Sequence, residues 1–355
     1  MKKSTRLLPI VVGATLLFST ANISTSFAAT DRATASTNAY NWLVSVKQTN
    51  GLYDSQADGE DVCYTYDQAV AAVAFIAKND TARAYDLLNK LKGLQHKDGY
   101  WYTAYSSKNA VAESEKWIGP ILWVVMAAAQ YKKATGATSF DAMANDAINW
   151  VLKFQQSDGG INGGIDASGK KLTYASTEEN EDAYAALKAF GFNSQAEKVR
   201  TFLTTKMWDS ANNRWYVGRN NKGVFLDVNA WGVQSLGSLG PANYLKSLDY
   251  NMNQMRLKKT VNGIVVDGFD FNADKDDVWL EGTAQMAAAL YTAGRTTDAD
   301  YFTDQVIKFQ KPNGGIPYSM AGGTTGDDWN MPKVEAISST GWLILAIHKV
   351  NPFKQ

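Results

Sequence analysis

Two kinds of apolar segment alternate along most of the chain. Six segments are amphipathic at helical spacing and run into a Gly or Asn turn, at residues 41–55, 89–103, 149–164, 201–218, 253–268 and 304–319. Six others are richer in alanine and apolar nearly all round, at residues 64–80, 116–136, 180–192, 226–240, 279–294 and 334–350. A helix that is apolar on most faces is buried on most faces. The pattern predicts outer helices alternating with inner ones, in a repeat of roughly 50 residues.

Twelve helices in this order can bury every apolar face by closing into two concentric rings. We therefore predict an all-α fold, an (α/α)6 barrel of six helical hairpins, as a single domain over residues 38–355. Repeats of this size also build open arrays of hairpins. Six hairpins fill a ring and no polar capping repeat is visible at either end of the pattern, which favours closure.

The first residues have the pattern of an export signal. Lys2, Lys3 and Arg6 precede an apolar run, and residues 26–28 read Ser-Phe-Ala, which is small at the two positions that a signal peptidase reads. We predict a cleaved signal peptide over residues 1–28 and a short mobile leader over residues 29–37. The mature protein is expected to be secreted and extracellular.

Composition narrows the partners and cofactors. The chain has 35 basic and 35 acidic residues, and three of the basic ones lie in residues 1–28, so the mature formal charge is 32 minus 35, or −3. A weakly acidic chain without basic clusters is not expected to bind nucleic acid or an anionic membrane. Cys63, His96 and His348 are too few for a Cys/His zinc site. We predict a monomer without cofactor or catalytic metal, and leave open a calcium ion held by Asp and backbone oxygens.

The alternation resembles the six-hairpin toroid superfamily, which includes exported glycosidases, polysaccharide lyases and terpene cyclases. This resemblance spans the whole mature chain, but it concerns architecture and does not choose a chemistry. In these toroids the substrate cleft lies where the inner helices begin. The resemblance therefore implies that the functional residues lie at the starts of the inner segments.

Acidic and aromatic side chains gather at those starts. Capping and the helix dipole favour Asp or Glu in any first helical turn, which accounts for a single acid such as Asp227. They do not account for six acidic clusters on one edge, or for the tryptophans beside them. Aromatic faces next to carboxylates are what a sugar polymer needs. The expected substrate-binding residues are Asp61, Tyr64, Asp67, Trp117, Asp227, Trp231, Asp276, Trp279 and Trp329.

One short motif points to a general acid. Residues 279–285 read WLEGTAQ, which is similar to the Glu-Gly turn at the start of an inner helix in family 8 and related toroid glycosidases. The resemblance implies that Glu281 is the general acid. Trp279 would desolvate the carboxyl group, and desolvation raises a carboxyl pKa and keeps the acid protonated.

The second carboxylate is expected across the ring from Glu281. In a helix that starts near Thr177, Glu178 and Asp182 share one face and Glu181 turns away from it. The catalytic candidates besides Glu281 are Asp182, Glu178, Glu179 and Asp277. The sequence thus predicts a secreted glycoside hydrolase that cleaves a neutral or cationic polysaccharide by two-carboxylate acid/base catalysis, since an acidic edge repels an anionic polymer.

Three other functions stay open. A polysaccharide lyase is disfavoured by the scarcity of histidine and by the acidic edge. The segment DKDD at 274–277 matches the D-x-D-D motif of class II terpene cyclases, and QHKDGYW at 95–101 fits their Q-x3-G-x-W repeat. That resemblance implies that Asp276 protonates an alkene, although the export signal and the single barrel argue against it. A non-catalytic glycan-binding protein would keep the cleft without the chemistry.

Overall fold

The computed structural model describes residues 31–325 and 331–354. Within these residues, twelve α-helices alternate between an inner and an outer ring. The inner helices are α2 (Thr65–Ala77), α4 (Ile118–Thr135), α6 (Thr177–Ala189), α8 (Leu226–Leu236), α10 (Leu280–Thr292) and α12 (Ile337–Ile347). The outer helices are α1 (Arg32–Ser45), α3 (Thr81–Leu94), α5 (Asp141–Val151), α7 (Asn193–Thr205), α9 (Lys246–Gln254) and α11 (Thr296–Ile307). The predicted signal peptide, residues 1–28, lies outside the described residues.

The inner helices close into a ring. Each packs against the next in chain order, from α2 through α4, α6, α8 and α10 to α12, and α12 packs back against α2. Small alanine side chains, as in Ala69–Ala74 of α2, let these helices approach on several faces at once, and they are fully buried. The (α/α)6 barrel predicted from the alternation is confirmed, and the open array is excluded. No helix in the described part of the chain is long and apolar enough to cross a membrane.

Part of the predicted leader belongs to the barrel. Helix α1 begins at Arg32, and the side chain of Asp31 caps it by accepting a hydrogen bond from the backbone N–H of Thr34 at 3.0 Å. Ala35 and Ser36 are already buried in this first outer helix. The prediction of a mobile leader is therefore wrong for residues 32–37, because a capped amphipathic helix starts before the repeat becomes visible in the sequence.

Short antiparallel strands fill the loops, mostly those that lead into the inner helices. They are β1 (Cys63–Tyr64), β2 (Ala104–Tyr105), β3 (Val111–Glu113), β4 (Lys116–Trp117), β5 (Gly164–Ile165), β6 (Trp208–Asp209), β7 (Arg214–Trp215), β8 (Arg256–Val261) and β9 (Ile264–Phe269). Strands β1, β2 and β3 form one sheet in that order, and β4–β5, β6–β7 and β8–β9 are pairs. The segment from residue 253 was predicted to be a helix end, but α9 stops at Gln254 and the β8–β9 hairpin follows. Asn262 and Gly263, both at positive φ, make the tight two-residue turn that an Asn-Gly pair favours between antiparallel strands.

A glutamine after an outer helix ties that helix to its neighbour in three of the hairpins. Gln310 donates hydrogen bonds from Nε2 to the carbonyl oxygens of Gly314 and of Ala35 in α1, both at 2.9 Å. Gln95 makes the same pair of contacts to Gly99 and to Met143 of α5. In the third copy, Nε2 of Gln155 donates to the carbonyl oxygens of Gly159 and of Gln195 in α7. The Q-x3-G repeat is therefore part of the scaffold, and its last copy closes the outer ring.

The residues that end the described chain close the far end of the barrel. Phe353 is buried against Trp123 and Trp231, with ring centroids at 5.7 and 5.4 Å. The Nε2 of Gln130 donates to the carbonyl oxygen of Pro352 at 2.9 Å and fixes this tail. On their opposite side, Trp123 and Trp231 line a cavity at the end of the barrel where the inner helices begin. The tail therefore supports the floor of the cavity.

The closure of the outer ring yields a stability prediction. Gly314 has φ +98°, and a Cβ at this position would lie 2.2 Å from the carbonyl oxygen of Asn38 in α1. Gly314→Ala should therefore lower the free energy of unfolding by about 2–5 kcal/mol, through backbone strain and overpacking. Gly294→Ala is the matched control, since φ is +76° and no atom lies within 4 Å, so that only about 1–2 kcal/mol of strain is expected. Equal losses in denaturant unfolding of the two variants would contradict this role of Gly314.

Candidate active site

A cavity of about 580 Å³ opens at the end of the barrel where the inner helices begin. All six inner helices contribute to its wall from their first two turns. The contributing residues include Tyr66 and Asp67 of α2, Gly119 and Trp123 of α4, Glu178, Glu179 and Asp182 of α6, Asp227 and Trp231 of α8, Glu281 and Gln285 of α10, and Ser338 of α12. The cavity thus lies where the sequence placed the functional residues.

The wall of the cavity is strongly acidic. Seven carboxyl groups of the described residues line it, and none of the described lining residues is Lys, Arg or His; the acids are Asp67, Glu113, Glu178, Glu179, Asp182, Asp227 and Glu281. Burial without a cationic partner disfavours the charged form of a carboxyl group. The positive ends of the inner helices point to the same cavity and offset only part of this cost. Such a site is expected to hold several protons near neutral pH.

Glu281 is buried and is fixed by two hydrogen bonds on one oxygen. Its Oε1 accepts from the hydroxyl of Tyr66 at 2.8 Å and from Nε2 of Gln285 at 3.0 Å. The hydroxyl of Tyr66 is itself held by Nε1 of Trp342 at 2.9 Å. Burial raises the pKa of Glu281 to about 7, against the effect of the Tyr66 hydrogen bond. Oε2 has no well-formed hydrogen bond among the described residues.

Helix α6 carries three acids into the cavity within its first two turns. Ser176 caps the helix by accepting from the backbone N–H of Glu179, and the carboxyl Oε1 of Glu179 accepts from the backbone N–H of Gly119 at 3.4 Å. Burial raises the pKa of Glu179 to about 7 and the pKa of Asp182 well above its usual range. Glu178 is the one of the three that keeps appreciable exposure. Burial, and next the charge of Asp227, raise the pKa of Glu178 strongly.

Asp227 of α8 and Asp67 of α2 add to the acidic wall. Oδ1 of Asp227 accepts from the backbone N–H of Val228 at 2.7 Å, and burial raises the pKa of Asp227 to about 7. Burial raises the pKa of Asp67 to about 8, and the charge of Glu281 adds to the shift. These two acids, predicted as substrate-binding residues, lie in the cavity on either side of Glu281.

Glu181 points away from the cavity, as the helical spacing predicted. It is fully buried between α6 and α8, where a Cβ at Gly232 would lie 2.7 Å from its Oε1. Neither carboxyl oxygen has a hydrogen-bond partner among the described residues. Burial, and next the charge of Asp227, raise the pKa of Glu181 well above its usual range. Glu181 is therefore held in its protonated form between the two helices and does not line the cavity.

The predicted aromatic residues lie on the cavity wall, at different depths. Trp231 and Trp279 are buried, and Trp279 packs against Phe271 with centroids at 5.0 Å. Tyr64 is half-buried and donates to Oε1 of Glu113 at 3.0 Å, whereas Trp117 is exposed at the mouth. The ring of Trp123 is fully buried and also forms part of the cavity floor. Trp150 and Trp342 are buried in the core.

The structure does not bring three predicted acids to the cavity. Asp61 is exposed and accepts from the backbone N–H of Ser107 at 2.6 Å. Asp276 is exposed and accepts from Thr324 at 2.9 Å. Asp277 is buried behind the wall, where Oδ2 accepts from the backbone N–H groups of residues 321 and 322 at 2.7 and 2.9 Å. These acids hold loops, so their predicted placement in the site is wrong. Trp329 lies outside the described residues.

Several lining residues were not predicted. Tyr66 and Gln285 hold the carboxyl group of Glu281, and Gln285 stands one helical turn after it, which is a spacing that the sequence displays. Tyr174 and Tyr318 reach the wall from loops, where no periodic pattern marks them. Ser338 enters from the first turn of α12, which begins without an acid.

One group of carboxylates among the described residues is spaced closely enough to hold a cation. It consists of Asp270, Asp274 and Asp276, each with an oxygen within 4.8 Å of the others. Asp270 is buried and already accepts from the backbone N–H groups of Phe271 and Asp276 at 2.7 and 2.8 Å. The other two acids of the group are exposed on the loop before α10 and do not line the cavity.

Comparisons with known proteins identify the architecture. No family model and no curated protein sequence matches the chain. Among solved structures, the chain is similar to a glycosidase in complex with glucose, with TM-score 0.70, 13% identity, and coverage of 89% of this chain and 96% of that one. It is similar to an alpha-amylase from Clostridium perfringens, with TM-score 0.65, 12% identity, and coverage of 89% and 97%. It is also similar to a cellobiose 2-epimerase from Bacillus thermoamylovorans, with TM-score 0.65, 11% identity, and coverage of 87% and 95%. These likenesses show the six-hairpin (α/α)6 toroid fold.

The buried acids predict an inverted dependence of stability on pH. Folding raises the pKa of Glu179, Asp227 and Glu281 to about 7 and of Asp67 to about 8, so between about pH 4 and pH 8 the folded state binds more protons than the unfolded state. The free energy of unfolding should therefore fall as pH rises through this window, and the unfolding temperature should be higher at pH 5 than at pH 8.

A matched pair of variants separates this effect from general charge. Glu181→Gln removes a buried acid outside the cavity and should flatten the fall in unfolding temperature. Glu197→Gln removes an exposed acid that pairs with Arg200 on α7, and should leave the slope unchanged. An unfolding temperature that stays constant or rises from pH 5 to pH 8 in the wild type would contradict the account.

Proposed function

We propose that the protein is a carbohydrate-active enzyme, and specifically a glycoside hydrolase that cleaves a neutral or cationic polysaccharide. The observation that carries this proposal is Glu281, a buried acid with a pKa of about 7 in a cavity lined by further carboxyl groups and aromatic rings. Glycoside hydrolysis uses one carboxyl group that is protonated and a second that is ionised, on either side of the glycosidic bond.

The hydrogen bonds of Glu281 assign its proton. Because Oε1 accepts from both Tyr66 and Gln285, the proton of the neutral acid resides on Oε2. That oxygen is the one left without a well-formed hydrogen bond among the described residues. Glu281 would donate this proton to the leaving oxygen of the substrate, and Tyr66 and Gln285 would stabilise the carboxylate that remains.

Glu178 is the proposed second carboxylate. Of the α6 acids it has the most exposure, while Glu179 and Asp182 pack against α4 at Gly119. Its charge interacts with Asp227 and, less strongly, with Glu281, so the three carboxyl groups surround one region of the cavity. Carboxyl groups that share such a region do not all ionise together. One proton shared between Glu178 and Asp227 leaves a carboxylate that acts as base or nucleophile.

The charge of the cavity supports a neutral or cationic glycan. A lyase acting on a uronate polymer needs a cation to neutralise the substrate carboxylate, and the described lining residues include no Lys or Arg. The terpene-cyclase alternative is disfavoured because Asp276 is exposed and bonded to Thr324. The similar structures include a glycosidase that binds glucose and an alpha-amylase, which fits a sugar substrate. We further propose that the protein is exported through the signal in residues 1–28 and acts as a monomer.

The role of Glu281 can be tested by an isosteric change. Glu281→Gln should lower turnover by about 10²–10⁴-fold, since a positioned general acid contributes that much, while leaving the circular dichroism spectrum unchanged. The measurement is release of new reducing ends from a panel of neutral, cationic and uronate polysaccharides, read together with the absorbance of unsaturated sugars. Glu197→Gln, on the outer face of α7, is the control and should keep wild-type turnover.

The pH profile gives a second readout of the same residue. Turnover should fall above about pH 7, because Glu281 must be protonated to act and its pKa is about 7. This alkaline fall should disappear from the residual activity of Glu281→Gln. Near-normal turnover by that variant would remove Glu281 from the mechanism. Unsaturated products would identify a lyase, and turnover of a sugar without new reducing ends would favour an epimerase over a hydrolase.

A further inference from the structure

Two exposed aromatic side chains line the cavity. Trp117 is 43% exposed and Tyr174 is 44% exposed, and both line the cavity. The other large apolar side chains of comparable exposure in the described residues, such as Tyr85 and Tyr301, lie outside it. Exposed aromatic surface has a hydrophobic cost, so its placement at a polar cavity calls for a ligand that covers it.

A pair of glycines brings these two aromatic residues together. Strand β4 pairs Trp117 with Gly164, and a Cβ at Gly164 would lie 2.1 Å from the carbonyl oxygen of Lys116. A Cβ at the adjacent Gly163 would lie 2.5–2.7 Å from the side chain of Tyr174. The backbone N–H of Gly163 also donates to the backbone carbonyl oxygen of Tyr174 at 3.0 Å. Because consecutive Cα atoms are about 3.8 Å apart, the segments that carry Trp117 and Tyr174 meet at neighbouring residues, and the two aromatic residues are called the mouth surface below. Side chains at these glycines would push it apart.

The position of this surface relative to the carboxyl groups of α6 and α10 indicates which part of a substrate it would contact. It lies beside the acids of α6. Burial raises the pKa of the Tyr174 hydroxyl, and the nearby charges of Glu179 and Glu178 raise it further. Glu281 and its supports enter from α10 and α2, and the buried ring of Trp279 lies on that side. A sugar chain whose glycosidic bond lies among the carboxyl groups therefore extends outward over Trp117 and Tyr174.

We infer that Trp117 and Tyr174 form an outer subsite that stacks a neutral pyranose unit of an oligosaccharide, next to the unit held among the carboxyl groups. This inference rests on the proposed function for the class of ligand. The apolar face of a pyranose fits an aromatic ring, and no charged lining residue is needed for such a contact. The substrate is then a chain of at least two sugar units, and a free monosaccharide gains nothing from the subsite.

Binding measurements on oligosaccharides of increasing length test the subsite. Titration calorimetry with malto-, cello- and chito-oligosaccharides of one to six units would be run on Glu281→Gln, which should not consume the ligand, with and without the added change Trp117→Ala or Tyr174→Ala. Each double variant should bind the longer chains of the preferred series about tenfold more weakly, while its affinity for the monosaccharide stays within twofold. The added change Tyr301→Ala, which removes an aromatic residue of 40% exposure outside the cavity, should leave the binding of every length as it is in Glu281→Gln.

Two further variants separate stacking from a structural role. Tyr174→Phe keeps the ring and should keep the affinity for long chains. Gly163→Ala should weaken long-chain binding as Tyr174→Ala does, because the added Cβ displaces the Tyr174 ring, whereas Gly93→Ala, with no atom within 4 Å, should have no effect. Equal loss of affinity for the monosaccharide and for long chains would overturn the subsite, as would unchanged binding by Trp117→Ala and Tyr174→Ala.

The same experiment keeps this inference distinct from the proposed hydrolase. Length-dependent binding that is lost in Trp117→Ala, in a protein that releases no reducing ends from any polymer, would support the subsite and reject the hydrolase. Hydrolysis by the wild type, together with an affinity of Glu281→Gln that does not increase with chain length, would support the hydrolase and overturn the subsite.

Discussion

The constraint on which the site depends is the burial of carboxyl groups without a cation. Seven acids line one cavity, and the described residues of its wall supply hydroxyls, amides and helix N-termini but no Lys, Arg or His. Such an arrangement is costly when every acid is ionised, and it is relieved by keeping protons bound. The burial that costs stability at neutral pH is therefore also what raises the pKa of Glu281 and keeps it protonated, as its proposed role as general acid requires.

The barrel provides the rigidity that this arrangement requires. Each inner helix brings its first turn to the cavity, and the ring of inner helices holds those turns against one another. Glutamine contacts such as that of Gln310 to Ala35 fasten the outer helices, and Phe353 supports the tryptophan floor from below. Acids held in this way do not separate to relieve their repulsion, so their pKa values stay raised.

The sequence predicted the parts of the fold and site that a regular period encodes. Alternation of amphipathic and buried helices predicted both rings. Helical spacing placed Glu178 and Asp182 on one face of α6, and the resemblance carried by WLEGTAQ implied Glu281. Proximity to a helix start does not tell whether a carboxylate faces a cavity or a loop N–H group, which is why Asp61 and Asp277 were misplaced. Tyr174 reaches the wall from an aperiodic loop, where its ring packs against Gly163, the residue before β5. That contact has no signature in a single sequence.

The most direct measurement is infrared spectroscopy of the carboxyl groups as a function of pH, in the wild type and in Glu281→Gln. The account predicts carbonyl bands of protonated carboxyl groups that persist at pH 6, and among them one band that is lost with a midpoint near pH 7 in the wild type and is absent from Glu281→Gln. A wild type whose carboxyl groups are all ionised by about pH 5.5 would contradict it, because the cavity would then hold no neutral acid to begin the reaction.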